Sequence, residues 1–370
     1  MTEPKLASML RPAGGGIFVV STGVAALRSF QQRLYGVHTP EEVEQAWLSS
    51  LTETQRKICV LGVPSDTGAG FRRGANHAPM AIRKHWMNQE HSTYLSPSVV
   101  DLGDVFCVPH YLSEDMLSEE QRSATQAVMY GGSQSTKEWP VTPLGLTEKI
   151  LQQLYACERL EDAAKPLVIG GDHSVGWPAF LAAFRQWELT WGERLGVLHF
   201  DAHTDLLSTR LGVKYCFATW AYHANELLAR SGRLFQIGIR ISSKTKRHWE
   251  STLNVRQMWS EEARTISARE AAQQVIDQFE RTGVTRLYVS NDIDGTDPKW
   301  APATGTPEPD GLEPDWVSEV TRRVAEHFPL VGADLVEVAP LLAAEDSDEY
   351  QVTLKTAVQY LEDFCALFDS

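Results

Sequence analysis

Short apolar runs alternate with amphipathic stretches along most of the chain after residue 57. The runs are KICVLGVP, SVVDLGDV, PLVIGGD, RLGVLHFD, LFQIGI, RLYVSND and LVGADLVEV. Amphipathic helices are predicted at 146–160, 177–187, 217–230, 268–281, 314–328 and 350–368. Strands that are apolar on both faces and alternate with helices are typical of βα units in a parallel sheet covered on both sides. The pattern therefore predicts an α/β fold with a mainly parallel sheet.

The first 56 residues lack this alternation and are interpreted as an N-terminal arm ahead of a main domain at 57–370. One helix is predicted there, with Thr39 before it, Pro40 in first position and acids in the early turns. The apolar stretch GIFVVSTGVAALRSF is too short to span a membrane, at about 15 residues. The stretch MYGGSQSTKEWPVTP is predicted to be a surface loop.

Composition narrows the class of protein. The chain has 370 residues, 43% hydrophobic and 22% charged, and its net charge of −14 argues against a nucleic-acid or anionic-membrane binder. Its five cysteines are odd in number and widely spaced, which predicts reduced thiols and a cytoplasmic protein.

Acids and imidazoles follow several of the predicted strands. Ligands of open parallel sheets bind at the carboxyl ends of the strands, so these positions are candidates for a site. The strand ends read VIGGDHS, HFDAHTD, NDIDGTD and DLVEV, and they offer Asp172, His173, His199, Asp201, His203, Asp205, Asp292, Asp294, Asp297 and Glu337. His199 is equally consistent with a residue supporting a ligand and with a buried structural imidazole. Taken singly, each acid could simply cap the loop that follows its strand.

Charge balance favours a metal site with two ions. Residues two apart in a strand point to the same side, so Asp201 and His203 can share one centre, as can Asp292 and Asp294. With Asp205 these residues carry four negative charges, which repel strongly in a partly dry site. Two divalent cations neutralise four charges, and the nitrogen and oxygen donors suit hard or borderline ions. His173 and His203 complete the two sets.

These motifs resemble a known family. GGDHS, HFDAHTD, SNDIDGTDP, ATGTPEPDGL and GADLVEVAP are similar to motifs of the ureohydrolases, which include arginase, agmatinase and guanidinobutyrase. The resemblance covers the chain from about residue 57, and it implies a three-layer αβα sandwich around an eight-stranded sheet. It also implies one metal ion on His173, Asp201, Asp205 and Asp292, and a second on His203, Asp201, Asp292 and Asp294.

The resemblance further implies hydrolysis of a guanidino compound to urea and an amine or ammonia. Glu337 is expected to bind the guanidinium group and Asp294 to hand a proton to the departing nitrogen. Arginase and agmatinase carry a His-Gly pair beyond the DAHTD motif, and this chain has Phe217 and Ala218 there. His223 is expected two turns into the next helix, too far to replace the missing histidine. Phe217 and Trp220 should make the pocket small and less polar.

A narrower resemblance points to the substrate. The arm, the VPSDTGAGF loop with Thr67 and the KYCFATWAYH segment are similar to ureohydrolases that hydrolyse free guanidine with nickel. Thr67 is then expected to contact the substrate, and manganese is the alternative metal. The alternatives are an agmatinase, a guanidinobutyrase or another guanidino-acid hydrolase, a non-catalytic relative, and a single-zinc deacetylase. The family resemblance implies a homotrimer or homohexamer.

Overall fold

A nine-stranded sheet forms the middle of the protein in the residues that the computed structural model describes, 5–17, 22–90, 92–131, 139–345 and 347–369. The sheet has the order β1-β3-β2-β4-β9-β8-β5-β6-β7, and all neighbours run parallel except β1, which is antiparallel to β3. The strands are β1 (Leu10–Arg11), β2 (Ile58–Gly62), β3 (Val99–Val105), β4 (Lys165–Ile169), β5 (Leu195–Phe200), β6 (Leu234–Ile239), β7 (Arg256–Trp259), β8 (Arg286–Asp292) and β9 (Leu330–Val336).

Helices cover both faces of this sheet. They are α1 (Leu6–Met9), α2 (Val24–Tyr35), α3 (Pro40–Ser50), α4 (Ala78–Met87), α5 (Glu119–Tyr130), α6 (Pro143–Tyr155), α7 (Gly176–Phe184), α8 (Trp220–Leu227), α9 (Lys246–Leu253), α10 (Ser260–Ala263), α11 (Ala268–Arg281), α12 (Pro314–Ala325) and α13 (Asp348–Asp369). One buried apolar cluster contains side chains of α4, α11, α12 and α13, and the other contains side chains of α6, α7, α8 and α9. Within β2, Ile58 and Val60 belong to the first cluster, whereas Cys59 and Leu61 belong to the second. The predicted αβα sandwich is confirmed.

The sheet differs from the predicted eight strands at its two edges. The two residues of β1 pair with the end of β3, Leu10 opposite Val105, and add a ninth strand. So short a strand leaves no periodic signal in the sequence. β7 at the other edge was not predicted either, because Arg256 is exposed and Gln257 is polar, which interrupts the apolar run.

The loop predicted at 129–143 is shorter than expected. Helix α5 extends through its first two residues to Tyr130 and ends at Gly131, which adopts a φ of 78°. Helix α6 begins at Pro143, with Thr142 as its cap. Residues 132–138 lie outside the described residues.

The described part of the first 56 residues packs against the sheet of the same chain. Helix α3 begins as predicted, because the Thr39 hydroxyl accepts from the Glu42 backbone N–H and the Glu42 carboxylate accepts from that of Thr39. Trp47 on α3 is 2% exposed and donates to the Leu102 carbonyl at 2.9 Å. Its ring and β1 together hold this segment against β3. The division into an arm and a main domain stays a prediction.

Two findings bear on the bulk expectations. No disulfide joins the five cysteines within the described ranges, in agreement with the predicted thiols. Among the helices of those ranges, none is long and apolar enough to cross a membrane.

Replacing Trp47 with alanine should lower the free energy of unfolding by about 3–5 kcal/mol, because it empties a buried aromatic site and leaves the Leu102 carbonyl without its donor. Urea unfolding measures this change. The neighbouring Leu48 is 40% exposed, so Leu48→Ala is the matched control and should cost less than about 0.5 kcal/mol. Equal effects of the two substitutions would show that the arm adds no stability to the sheet.

Candidate metal centre

The candidate ligands follow four strands that are neighbours in the middle of the sheet. The strands β4, β9, β8 and β5 are adjacent in that order. His173 lies in a short turn after β4, Asp201 directly follows β5, Asp292 ends β8 and Glu337 directly follows β9. Because all four strands are parallel, their carboxyl ends meet at one edge. The structure thus brings together the residues that the sequence nominated.

One group of ligands surrounds the His173 imidazole, which is fully buried. Its Nδ1 lies 3.3 Å from Asp201 Oδ2, 3.2 Å from Asp205 Oδ2 and 3.1 Å from Asp292 Oδ2. His199 Nε2 also lies 2.9 Å from Asp201 Oδ2. One potential ligand atom from each of four residues lies within 4.8 Å of the other three: His173, His199, Asp201 and Asp205. A single metal ion fits among such atoms.

A second group shares Asp201 with the first. His203 Nδ1 lies 3.1 Å from Asp294 Oδ2 and 3.5 Å from Asp201 Oδ1. Donor atoms of Asp201, His203 and Asp294 again lie within 4.8 Å of one another. The His203 side chain is 25% exposed, whereas the carboxylates are buried. The second group therefore lies nearer the protein surface than the first.

Backbone N–H groups orient the carboxylates. Asp201 Oδ1 accepts from the His203 N–H at 2.5 Å, Asp294 Oδ1 from the Ala202 N–H at 3.0 Å, and Asp292 Oδ1 from the Asp294 N–H at 2.8 Å. The hydroxyl of Thr306 donates to Asp294 Oδ2 at 2.9 Å. These bonds leave Asp201 Oδ2 and Asp292 Oδ2 turned toward His173.

Two of the acids occupy left-handed backbone conformations. Asp205 has a φ of 50° and Glu337 a φ of 61°, a region that residues other than glycine rarely adopt. The Asp205 carbonyl accepts from the Tyr222 N–H at 3.1 Å, and the Glu337 N–H donates to the Gly171 carbonyl at 2.8 Å. The surrounding backbone therefore imposes these conformations.

The electrostatics of the centre call for cations. Burial, followed by repulsion from Asp201, raises the pKa of Asp205 to about 7. Burial, together with repulsion from Asp294 and Asp201, raises the pKa of Asp292 well above its ordinary value. Burial alone would lower the pKa of His173, but its three neighbouring carboxylates raise it instead. The donors are all carboxylate oxygen and imidazole nitrogen, so the centre fits divalent ions of the hard or borderline kind.

A hydrogen-bonded chain fixes the His173 ring from behind. Its Nε2 lies 2.9 Å from the Ser290 hydroxyl, which donates to Asp334 at 2.7 Å. The ring also stacks on Trp220, with 4.8 Å between centroids. Trp220 is fully buried between His173 and His199. Trp220 begins α8 and packs against the imidazole. Its predicted contact with the substrate stays a prediction.

A cleft of about 650 Å³ lies beside the centre, and it contains two of the predicted substrate contacts, Thr67 and Phe217. A Cβ on Gly70 would lie 2.5 Å from Phe217 Cζ, so only glycine allows the ring to rest on that loop. Gly68 connects the loop to the centre, because its N–H donates to Asp172 at 3.0 Å and its carbonyl accepts from the Phe217 N–H at 3.3 Å. The Thr67 hydroxyl donates to the Pro109 carbonyl.

The position of His223 corrects one expectation. It lies in the first turn of α8 and not two turns in, because α8 begins at Trp220. Its Nε2 lies 3.0 Å from the Lys214 carbonyl, and its ring contacts Trp177, Tyr215 and Tyr222. These contacts give it a structural role, and His223 is absent from the residues that line the cleft.

Sequence reasoning missed Arg210, which lines the cleft with its guanidinium 5.1 Å from the centre of the Phe217 ring. Arg210 belongs to a tight turn in which its N–H donates to Val213 and the Val213 N–H donates back. Leu211 and Gly212 at the tip both have positive φ angles in the structure. In the sequence, Gly212 was the one residue that indicated a turn there.

Comparisons with known proteins agree with this fold and centre. The sequence profile of the arginase family matches residues 56–366. A guanidinobutyrase of Pseudomonas aeruginosa is 28% identical over 340 residues, 89% of each chain. A mitochondrial guanidino acid hydrolase of Homo sapiens is 31% identical over 290 residues, 76% of this chain and 70% of its own. The structure of proclavaminate amidino hydrolase from Streptomyces clavuligerus has a TM-score of 0.63 and 27% identity, covering 84% of this chain and 91% of that one.

Fold, profile and relatives together define an enzyme that hydrolyses carbon–nitrogen bonds. The chain belongs to the arginase family, the ureohydrolases. Its buried histidines and aspartates form a centre that could hold metal ions.

Metal binding should strengthen as the pH rises toward 7. An unfolded aspartate titrates near about pH 3.9, so metal-free folded protein keeps the Asp205 proton between about pH 4 and 7 and loses stability across that window as the pH rises. Below pH 7 a metal ion must displace this proton, which weakens its binding about tenfold per pH unit. Mn²⁺ should therefore raise Tm more at about pH 8 than at about pH 6.

Differential scanning calorimetry of protein with Mn²⁺, against the same protein in excess chelator at each pH, measures this difference. An equal rise in Tm at both pH values would contradict the assignment of Asp205 as a ligand.

Proposed function

We propose that the protein hydrolyses free guanidine to urea and ammonia at a centre of two divalent ions. The observation that carries the proposal is the cleft. Phe217 occupies it beside the centre, and among the described residues that line it none is acidic. The ammonium tail of agmatine would find no counter-ion there. A substrate without a tail needs none.

His173, Asp201, Asp205 and Asp292 would hold one ion, and His203, Asp201, Asp292 and Asp294 the other. Two such ions lower the pKa of water and polarise it for attack on carbon. Nickel is favoured through the resemblance to ureohydrolases that hydrolyse free guanidine with nickel, and manganese is the alternative, since nitrogen and oxygen donors suit both ions.

Glu337 is the proposed guanidinium ligand. It is buried, and Oε1 accepts from the His173 N–H at 2.9 Å. Oε2 faces the 305 loop, where a Cβ on Gly305 would lie 3.6 Å from it. Burial and repulsion from Asp172 raise the pKa of Glu337 well above its ordinary value. A bound guanidinium ion would lower the pKa of Glu337 again, because its planar N–H donors and its positive charge stabilise the ionised carboxylate.

Asp294 is the proposed proton carrier. Its Oδ2 lies 3.1 Å from His203 Nδ1 in the group nearer the protein surface, and Thr306 donates to the same oxygen. Attack of water on the central carbon of guanidinium releases one proton, and the departing nitrogen needs one to leave as ammonia. Asp294 can accept the first and supply the second. The balance is guanidinium plus water giving urea plus ammonium.

A second candidate function rests on Arg210. Its guanidinium lines the cleft, so a guanidino acid could enter with its carboxylate paired to Arg210. A guanidinobutyrase and a guanidino acid hydrolase are among the relatives. The cleft volume would accept such a chain, whereas Arg210 would repel agmatine.

Assembly into a homotrimer or homohexamer is part of the proposal. Exposed apolar side chains on the rim of the cleft support it, since Phe71 is 87% and Leu211 99% exposed. Exposed apolar patches commonly mark contact surfaces. Light scattering coupled to size exclusion measures the assembly.

A substrate panel on protein loaded separately with Ni²⁺ and Mn²⁺ tests the choice. Urea release from guanidine should exceed that from guanidinobutyrate, agmatine and arginine, and Arg210→Ala should leave guanidine turnover unchanged. Preference for guanidinobutyrate, lost in Arg210→Ala, would select the second candidate. Preference for agmatine would reject both, and no turnover of any substrate would indicate a non-catalytic relative.

Glu337→Gln should reduce kcat/KM for guanidine by about 10- to 100-fold, because it removes a charge-assisted hydrogen bond. Metal content, measured by atomic emission, should stay at the wild-type value, since Glu337 is not a proposed metal ligand. Asp297→Asn is the control: Asp297 braces the loop by accepting from Gly311 and Lys299, outside the ligand groups. Unchanged kcat/KM in Glu337→Gln would rule out this role.

A further inference from the structure

We propose that Arg240 is a positioning residue that holds Asp294 in place and thereby builds the second of the two ion sites. The inference rests on the proposed two-ion function. Arg240 directly follows β6 and lies half-buried beneath the loops that carry Asp294 and Thr306. Neither the ligand motifs nor the cleft includes it.

Among the described residues, every acceptor of the Arg240 guanidinium is a main-chain carbonyl. Nε bonds Pro309 at 3.0 Å, Nη1 bonds Gly238 at 3.1 Å and Gly295 at 3.2 Å, and Nη2 bonds Asp294 at 2.6 Å, Glu308 at 2.8 Å and Thr296 at 3.4 Å. Three separate segments of the chain meet in these bonds: the end of β6, residues 294–296 and residues 308–309. A planar fork with five N–H donors suits such a set of acceptors.

The backbone of Arg240 also supports the Asp294 carboxylate, through Ala202. The N–H groups of Arg240 and Ile241 both donate to the Ala202 carbonyl, at 2.9 and 3.0 Å. The Ala202 N–H in turn donates to Asp294 Oδ1 at 3.0 Å. One residue thus fixes the backbone of Asp294 through its side chain and the donor to the Asp294 carboxylate through its main chain.

The second carboxylate oxygen of Asp294, Oδ2, also depends on the Arg240 guanidinium. Thr306 donates to Oδ2 from the loop whose carbonyls at 308 and 309 Arg240 binds. Without the guanidinium, six carbonyl oxygens would lose its N–H donors, and of these the Gly295 carbonyl would keep the Leu312 N–H at 3.0 Å. The loop would then have to move apart to let water reach the others. Asp294 would then lose its alignment with His203.

The two ligands that belong to the first ion site alone, His173 and Asp205, are independent of the Arg240 guanidinium. His173 is held by Ser290 and Trp220, and Asp205 by its backbone contact with Tyr222. Loss of the guanidinium should therefore weaken one ion site and spare the other. A general loss of folding would weaken both.

Calorimetric titration of metal-stripped protein with Mn²⁺ tests the inference. Wild type should bind two equivalents per chain. Arg240→Ala should keep one equivalent at wild-type affinity and bind the second about 10- to 100-fold more weakly, the range found when a residue supporting a metal ligand is lost. Arg240→Lys should show an intermediate weakening, because an ammonium has three donors and no fork.

Arg264→Ala is the matched control. Arg264 is an exposed arginine that bonds the side chain of Asp310, beside the same loop. It should bind both equivalents as wild type does.

Two tight equivalents in Arg240→Ala would overturn the inference, as would equal weakening of both sites. Should Arg240→Ala fail to fold, Arg240→Lys decides: two wild-type equivalents there would overturn the role of the fork. Fewer than two equivalents in wild type would instead overturn the proposed two-ion function, and the inference with it.

Discussion

Mutual repulsion among carboxylates buried at one edge of the parallel sheet is the constraint on which the rest of this structure depends. Asp201, Asp205, Asp292 and Asp294 lie at or shortly after the ends of β5 and β8, strands whose residues are all buried except the half-buried Arg286. Helices on both faces exclude the water that would otherwise screen these charges. Bound protons or cations must therefore neutralise these acids in the folded protein, and the neighbouring imidazoles supply nitrogen donors for cations.

Supporting contacts divide the centre into a rigid rear and an adjustable front. Behind it, the buried His173 ring is fixed by Ser290 and by stacking on Trp220. At the front, the partly exposed His203 follows β5 and lies beside the buried Asp294, whose carbonyl accepts from Arg240 directly after β6. The Gly68–Gly70 loop and Phe217 close the side toward the cleft. Substitutions in the cleft can thus change substrate specificity without altering the metal ligands around His173.

The sequence was sufficient for the local and periodic features and insufficient for contacts between distant segments. Alternation of apolar runs predicted seven of the strands, and the two-residue spacing of Asp201 with His203 placed both in one centre. The burial of Trp220 against His173 was not predicted, because the direction of a side chain depends on where its helix begins. Arg210 and Arg240 went unnoticed, since their roles arise from a turn tip and from carbonyls more than 50 residues away. Two-residue strands such as β1 exist only through their partner.

The left-handed backbone at Asp205 and Glu337 links activity to heat resistance. Each such conformation costs about 1–3 kcal/mol when the residue is not glycine, and the fold tolerates it to aim a carboxylate. A copy of this gene released from selection for catalysis would gain stability by exchanging either acid for glycine or asparagine. At these two positions, substitutions that raise thermal stability thus lower activity. Selection for stability alone would therefore enrich inactive variants unless activity were selected at the same time.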